Sequence, residues 1–513
     1  MTREREETTS TPARDAPPYV VAAGCLGIAF VIAVVTLVRF SPRYSEWRGL
    51  LVSQEYSLCD CYRAFDSLQQ LREPWAEIEN PTNQVIAWRL LFPLVWHYGD
   101  LPTPLYMAMP WLGCLLTLWL VSWCNYRRLH DWFETCLAAM VFATLPWFFV
   151  SAGWLTYFDS WLMLGLLALA FAESRLVIAL VCLAIPWIDE RFVLALPLTL
   201  LVRAIVFRNA AQRQRNDLVV DLAVALAASV PYLAVRAIAW LVGDPETTDY
   251  VQRHGKEVLQ VPVEYFAIGL WSGFRAAWIL VGAAVWFTWR SVGRSWGILL
   301  GLAVFTASVA ALVVARDMSR TFMILAPVLI MGIWQWHDYA RPSFKAVLAS
   351  IAAAQLILPA YHATWSFPVP IRSVYREIEE FNHPRDPLQP RYYVNMSIAS
   401  EQGQDRTLAY WSCDAALRLD EQFAPAYGQR AYLRLRDGDL DAALADAGEA
   451  LRLDPTQPEA LLVRGQVHAV GGALAQSADD VRQALMTAPS EWPHRPEAEQ
   501  LLKRIEGSSA GHE

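Results

Sequence analysis

Ala416-Leu417-Arg418-Leu419-Asp420 recurs 34 residues on as Ala450-Leu451-Arg452-Leu453-Asp454, and Ala484-Leu485-Met486 follows after another 34. A fixed period of that length is what stacked helix-turn-helix units leave in a sequence, because each pair of helices buries its apolar face against the next. Working outward from these letters, the best unit runs from about 424 to 457 and carries Tyr427, Ala431, Ala443, Ala450 and Pro455. Asp437-Gly438-Asp439 supplies the turn inside it. The following unit, 458–491, keeps Gly465, Ala484 and Pro489, and the preceding one, about 390–423, keeps Ala409 and Ala416. Three units are near the minimum for a stable stack.

Upstream of the repeats the chain changes character. Of its 513 residues 55% are hydrophobic and 18% charged, where a soluble chain carries about 25% charged residues. From Arg372 onward there are 23 acidic and 15 basic residues, a net of −8, and the remainder balances at 27 of each. An acidic C-terminal region argues against nucleic acid as a partner, since phosphate binding needs clustered Lys and Arg. Tyr19 to Val38 is an apolar run of about 20 residues behind a polar N-terminus, which fits a span and not a secretory signal. Length and apolarity predict about eleven spans, near 19–39, 104–124, 133–150, 155–173, 176–188, 192–207, 217–242, 264–289, 295–315, 319–337 and 345–365. Gln84 to Tyr98 reads as an interfacial or re-entrant helix, because Arg89 and Pro93 interrupt it, with a span as the alternative.

The expected class is therefore all-α: a polytopic helical membrane bundle followed by a helical solenoid. Residues 1–18 form a cytoplasmic tail, 19–365 the membrane domain with a long outer loop at 41–84, 366–389 a Pro-rich linker, 390–491 the repeats and 492–513 a C-terminal tail. A short charged helix, Tyr375 to Phe381, interrupts the linker. Arg127-Arg128, Arg208/Arg213/Arg215, Arg290/Arg294 and Arg341/Lys345 fall on one side under this count. Short basic loops stay cytoplasmic, so the repeats are expected outside, and the compact loops suggest a bacterial inner membrane. The 23 Trp suit the membrane–water boundary. The eight Cys form neither a disulfide framework nor a zinc pattern.

Charged residues near the spans concentrate on the predicted outer face: Asp60 and Asp66 in the long loop, Asp159 after a tight turn, Asp189-Glu190-Arg191 between two spans, and Arg316-Asp317-Met318-Ser319-Arg320 late in the bundle. Charges at a bilayer boundary are costly when buried and mark functional candidates. Carboxylates there suit proton abstraction, and guanidiniums suit bidentate grip on a phosphate. Asp60 and Asp159 are the catalytic candidates. Arg89, Asp189, Glu190, Arg191, Arg316, Asp317 and Arg320 are the substrate- and phosphate-binding ones. His97, His254 and His362 read as isolated structural or interfacial residues. No phosphate-binding loop, dinucleotide fingerprint or nucleophile elbow is present.

Tyr427, Ala431, Ala443, Ala450 and Pro455 occupy positions that resemble the tetratricopeptide repeat, a resemblance that implies protein or peptide binding. The membrane body resembles the GT-C glycosyltransferases in its long acidic outer loop, Glu55 to Asp66, the later Asp159, the late segment Arg316 to Arg320, and the Arg-led stretch Trp88-Arg89-Leu90-Leu91-Phe92-Pro93. Some GT-C protein O-mannosyltransferases carry tetratricopeptide repeats in this same order. The resemblance implies a polyprenyl-phosphate sugar donor, an extracytoplasmic acceptor and a repeat domain that recruits the acceptor or a partner protein. The chain departs from that subgroup in lacking an Asp-Asp pair soon after the first span, which leaves a divalent metal open as a cofactor. The competing reading is a non-enzymatic, membrane-anchored scaffold for protein–protein interaction.

Overall fold

A computed structural model describes residues 17–40, 62–75, 78, 84–154, 156–208, 215–242, 261–313, 317–364, 368–371, 373–375, 390–402, 406–488 and 492–509. They fall into two compact units. The first holds the membrane helices. The second holds the described residues within 42–103 and 153–156 and those from Val374 onward.

Among the described residues of the first unit six helical stretches are long and apolar enough to cross a membrane: α1 (Pro18–Arg39), α4 (Thr103–Leu129), the core of α10 (Arg215–Val242), the run 263–292, α13 (Arg294–Val313), and the run 318–339. A seventh forms if α5 (Trp132–Ala143) and α6 (Pro146–Gly153), bent by 64°, count as one span. The run 263–292 comprises α11 (Val263–Phe274), a tight turn at Arg275 and α12 (Trp278–Phe287). The run 318–339 comprises α14 (Met318–Thr321), a 3-10 turn and α15 (Ala326–Tyr339). It is 94% buried and forms the centre, whereas 17% of the α13 window and 22% of the α10 window are buried. Those two helices present apolar side chains outward, as lipid contact requires.

Four of the eleven expected spans fall short. α7 (Asp159–Phe171), α8 (Arg175–Ala184), α9 (Arg191–Phe207) and α16 (Arg341–Ile357) have 13, 10, 17 and 17 residues. At about 1.5 Å per residue none covers the roughly 30 Å of a hydrocarbon core. α16 stops where Leu358 precedes Pro359, since a residue before proline disfavours the helical region. The chain then makes a hairpin, β1 (Ala360–Ala363) on β2 (Pro368–Ile371), with Ala360 opposite Ile371 and His362 opposite Val369. Pro368 and Pro370 alternate, so the missing N–H groups fall on one side of the strand. The expected linker thus begins as a strand. Apart from its first residue, the charged helix expected at Tyr375 to Phe381 lies outside the described residues.

Two polar layers close the ends of this bundle. One contains Arg128 paired with Asp338, Arg341 with Glu134 at 2.8 Å, and Arg203 with Asp221 at 2.7 Å. The other contains Asp159, Asp189, Arg191, Asp317 and Arg320. Arg320 and Asp338 lie in one helical run, 18 residues or about 27 Å apart along it.

The second unit contains α2 (Tyr62–Arg72), a 3-10 turn at Gln84–Trp88, α3 (Leu91–Gly99) and the repeat array. α3 has nine residues, which suits the interfacial reading of 84–98 and rules out a span. The array has three helix pairs, α17 (Pro390–Gln402) with α18 (Arg406–Leu419), α19 (Ala424–Arg436) with α20 (Leu440–Leu453), and α21 (Pro458–Val470) with α22 (Leu474–Thr487). The first helices α17, α19 and α21 pack side by side. Ala416, Ala450 and Ala484, spaced by 34, are fully buried, so the repeated small residues are where helices meet. Gly438 and Gly472, also 34 apart, turn at φ 85° and 77°, a region that glycine enters without strain. The expected C-terminal tail instead forms α23 (Arg495–Ser509), whose Ala498, Leu501 and Ile505 join the array core.

Candidate functional site at one end of the bundle

The site is built on Asp159. After α6 the chain turns through Thr156 at φ 60°, and Asp159 becomes the first residue of α7, behind Phe158 as N-cap. Its carboxylate is fully buried. Oδ1 accepts from Arg191 Nη2 at 2.5 Å and Oδ2 from Arg320 Nη1 at 3.0 Å. The two arginines come from 32 and 161 residues away. Arg191 opens α9 beyond a 3-10 turn around Pro186, and Asp189 both accepts its backbone N–H at 3.0 Å and takes its Nε at 2.8 Å. Arg320 sits on α14, where Nε donates to Asp317 Oδ2 at 2.6 Å and the guanidinium lies 4.7 Å from the Tyr157 ring centre. Ser319 Oγ accepts from Ala363 N at 2.9 Å, which ties the hairpin to this helix. His362 Nε2 then stands 3.6 Å from Asp317 Oδ1.

The result is one chain of charge, Asp189–Arg191–Asp159–Arg320–Asp317, ending at His362. Three carboxylates meet two guanidiniums. Both oxygens of Asp159 are taken by guanidinium donors, so its geometry suits holding the arginines in place. A proton acceptor needs an oxygen or nitrogen that the substrate can reach. Asp317, with a side chain 21% exposed, is the most open of the three carboxylates and sits beside an imidazole.

Five of the nine residues expected from sequence thus converge. Glu190 is half-buried and within electrostatic range of Arg191. Asp60 and Arg316 lie outside the described residues. Arg89 belongs to the second unit, buried between the 3-10 turn and α3; Asp66, on α2, is buried in that unit too. Among the described residues no group of three or more His, Cys, Asp or Glu could hold a metal ion.

Three residues at this end escaped the sequence reading. His362, isolated in the sequence and read there as structural or interfacial, stands beside Asp317. Arg275, 1% exposed with φ 48°, donates Nη1 to Gln355 O at 2.7 Å and Leu358 O at 3.0 Å, and Nη2 to Thr144 O. Arg39 donates Nε to Leu356 O at 2.8 Å. Both guanidiniums stack on Phe40, at 4.8 and 5.1 Å from its centre. Together they satisfy carbonyls that the C-terminus of α16 leaves without helical partners, at the negative end of its dipole. Among the described residues neither has a carboxylate partner. An arginine inside an apolar stretch was the available signal for Arg275. No protein-family model and no curated protein matches this chain.

Proposed function

We propose that the membrane body transfers a sugar from a polyprenyl-phosphate carrier to an extracytoplasmic acceptor, and that the array, read as tetratricopeptide repeats, recruits the acceptor or a partner protein. The observation that carries this reading is the convergence of Asp159, Asp189, Arg191, Asp317 and Arg320, from distant parts of the chain, at one end of a membrane bundle. In this reading the acceptor oxygen attacks the anomeric carbon. Its proton passes to Asp317 or His362, the sugar–phosphate bond breaks, and the lipid phosphate leaves. The arginines already neutralised by Asp159 and Asp189 suit orientation. Arg39, partly exposed and without an acidic partner among the described residues, suits the leaving phosphate better, while Arg275, buried on backbone carbonyls, holds the end of α16 in place.

Eleven passes belong to the same proposal. The short helices run between the two polar layers: α7 starts at Asp159 and ends with Phe171 against Trp334, 4.7 Å between ring centres. The test is release of lipid phosphate by the purified full chain in nanodiscs, offered a panel of radiolabelled polyprenyl-phosphate sugars with acceptor peptides. Transfer by the wild type that falls at least 100-fold in both Asp317→Asn and Arg39→Gln supports the assignment, and undiminished transfer in both sinks it. A membrane-anchored scaffold is the second reading, favoured by the internal pairing of both Arg191 and Arg320. Binding of a protein partner without any donor turnover would select it.

A further inference from the structure

The first helices of the second and third pairs, α19 and α21, are touched by the chain's own C-terminal segment. Tyr432 on α19 and Gln466 on α21 occupy equivalent places, 34 residues apart, on neighbouring first helices. Both donate to one carboxylate: Tyr432 Oη to Glu497 Oε2 at 2.6 Å and Gln466 Nε2 to Glu497 Oε1 at 3.0 Å. Just before α23 the chain reads Trp492-Pro493-His494, with Trp492 and His494 buried. Trp492 Nε1 donates to Glu459 Oε1 at the start of α21, 2.7 Å away. The His494 ring lies on Tyr432 at 4.0 Å between centres, with Trp492 at 5.8 Å. Its Nε2 is buried without a hydrogen-bond partner among the described residues.

A helix that merely caps the last pair needs contact with that pair, and α23 has it through Ala498, Leu501 and Ile505. The reach of His494 to α19, a helix of the preceding pair, exceeds that need. Arg495 N donates to Trp492 O at 3.2 Å, so Trp492-Pro493-His494-Arg495 form a turn into α23, and this turn lays Trp492 and His494 across two repeats. Its contacts define what the face accepts: a ring N–H for Glu459 and a flat ring for Tyr432.

We propose that Trp492-Pro493-His494 is a built-in occupant of the face formed by α19 and α21, and that this face takes in its place a turn-forming segment of another protein carrying a Trp followed two residues later by a flat ring. The proposal rests on reading the array as a protein-binding module and is independent of the transferase chemistry. A tethered segment competes at an effective concentration of about a millimolar, so the intact chain holds the face closed.

The test uses the full-length chain in nanodiscs and a fluorescein-labelled peptide of residues 489–498, read by fluorescence anisotropy. The Trp492→Ala/His494→Ala chain binds the peptide at least tenfold more tightly than the intact chain, and adding Tyr432→Ala removes that gain. His494→Ala alone leaves Trp492 in the core and raises affinity at least threefold. Hydrogen exchange in α19 to α22 stays protected in each variant. Equal peptide affinity in the intact and His494→Ala chains overturns the proposal. So does lost exchange protection in the double variant, which would make the segment a structural cap. Donor turnover measured on the same variants separates these outcomes: the transferase reading survives their failure if turnover persists.

Discussion

Asp159 and Asp317 share one ion network, yet they should respond differently to substitution. Asp159→Ala leaves Arg191 and Arg320 without the carboxylate that joins them. Removing one partner of a buried pair costs about 3–5 kcal/mol, so this variant is expected to lower the unfolding midpoint and the yield of folded protein. Asp317, partly exposed and at the end of the chain of charge, should tolerate Asn with a loss of about 1 kcal/mol or less while transfer collapses. Thermal unfolding in detergent beside a turnover assay checks both; equal destabilisation by the two variants would contradict the division of labour. The carboxylates and arginines of this network were legible in sequence because each is a charge in an apolar run. Arg39, Arg275 and His362 were not, because their roles come from partners that sequence places far away: Arg275 reaches carbonyls 80, 83 and 131 residues off.

Elements obey two different rules in the two units. In the membrane body, where apolar burial adds little between helices, close approach of backbones does the packing. Gly332 of α15 shows it: a Cβ there would stand 2.1 Å from the Leu280 carbonyl oxygen on α12. Gly332→Ala therefore forces the central helices apart, with an expected loss of about 1–3 kcal/mol, measurable as a lower midpoint in detergent; an unchanged midpoint would show that α12 shifts freely. In the array, charge repeats as faithfully as alanine. Arg430 donates to Asp446 and Arg464 to Asp480, each pair 16 residues apart and displaced by 34. The apolar letters gave away the period, while this pairing needed the fold to bring the two helices of each unit together. His494 adds a pH dependence. Burial pushes its imidazole below the usual histidine range, opposed by Glu459 on α21, Glu401 on α17 and Glu497 on α23, with Arg436 on α19 reinforcing burial. Tyr432, whose phenol is held above its ordinary range by burial and by Glu497, remains neutral. A lowered folded value means the unfolded chain binds the extra proton, so this contribution is complete above about pH 6.5 and fades as the pH falls through the lowered value. Exchange protection of α23, corrected for intrinsic rates, should drop between pH 7 and 5 in the wild type and drop less in His494→Phe. A parallel decline in both would assign the loss to other groups.

For the whole molecule the count of passes is a question of parity. Six spanning helices would return the chain to the side it started from, whereas eleven passes leave its two ends on opposite sides. Length alone favours the smaller number, because α7, α8, α9 and α16 are too short to cross unaided. Position favours the larger. α7 is buried along almost its whole length, so protein surrounds it, and a helix among helices does not need a full hydrocarbon thickness of its own. α9 carries Arg191 at one end, in the layer of Asp159, and Arg203 near the other, bonded to Asp221 and to the carbonyls of Leu169 and Ala172 at the far end of α7. α16 begins with Arg341 on Glu134 and ends with its carbonyls on Arg275. α7 and α9 thus join one polar layer to the other, which a hydropathy scan sees only as a run of apolar letters. Paired reporters, one active only inside the cell and one only outside, settle the parity when fused before Pro18, after Glu513 and within residues 243–260. Eleven passes put the last two outside and the first inside. A reporter after Glu513 that is active inside would leave the array facing cytoplasmic partners, and the acceptor-recruiting role proposed for it would be lost.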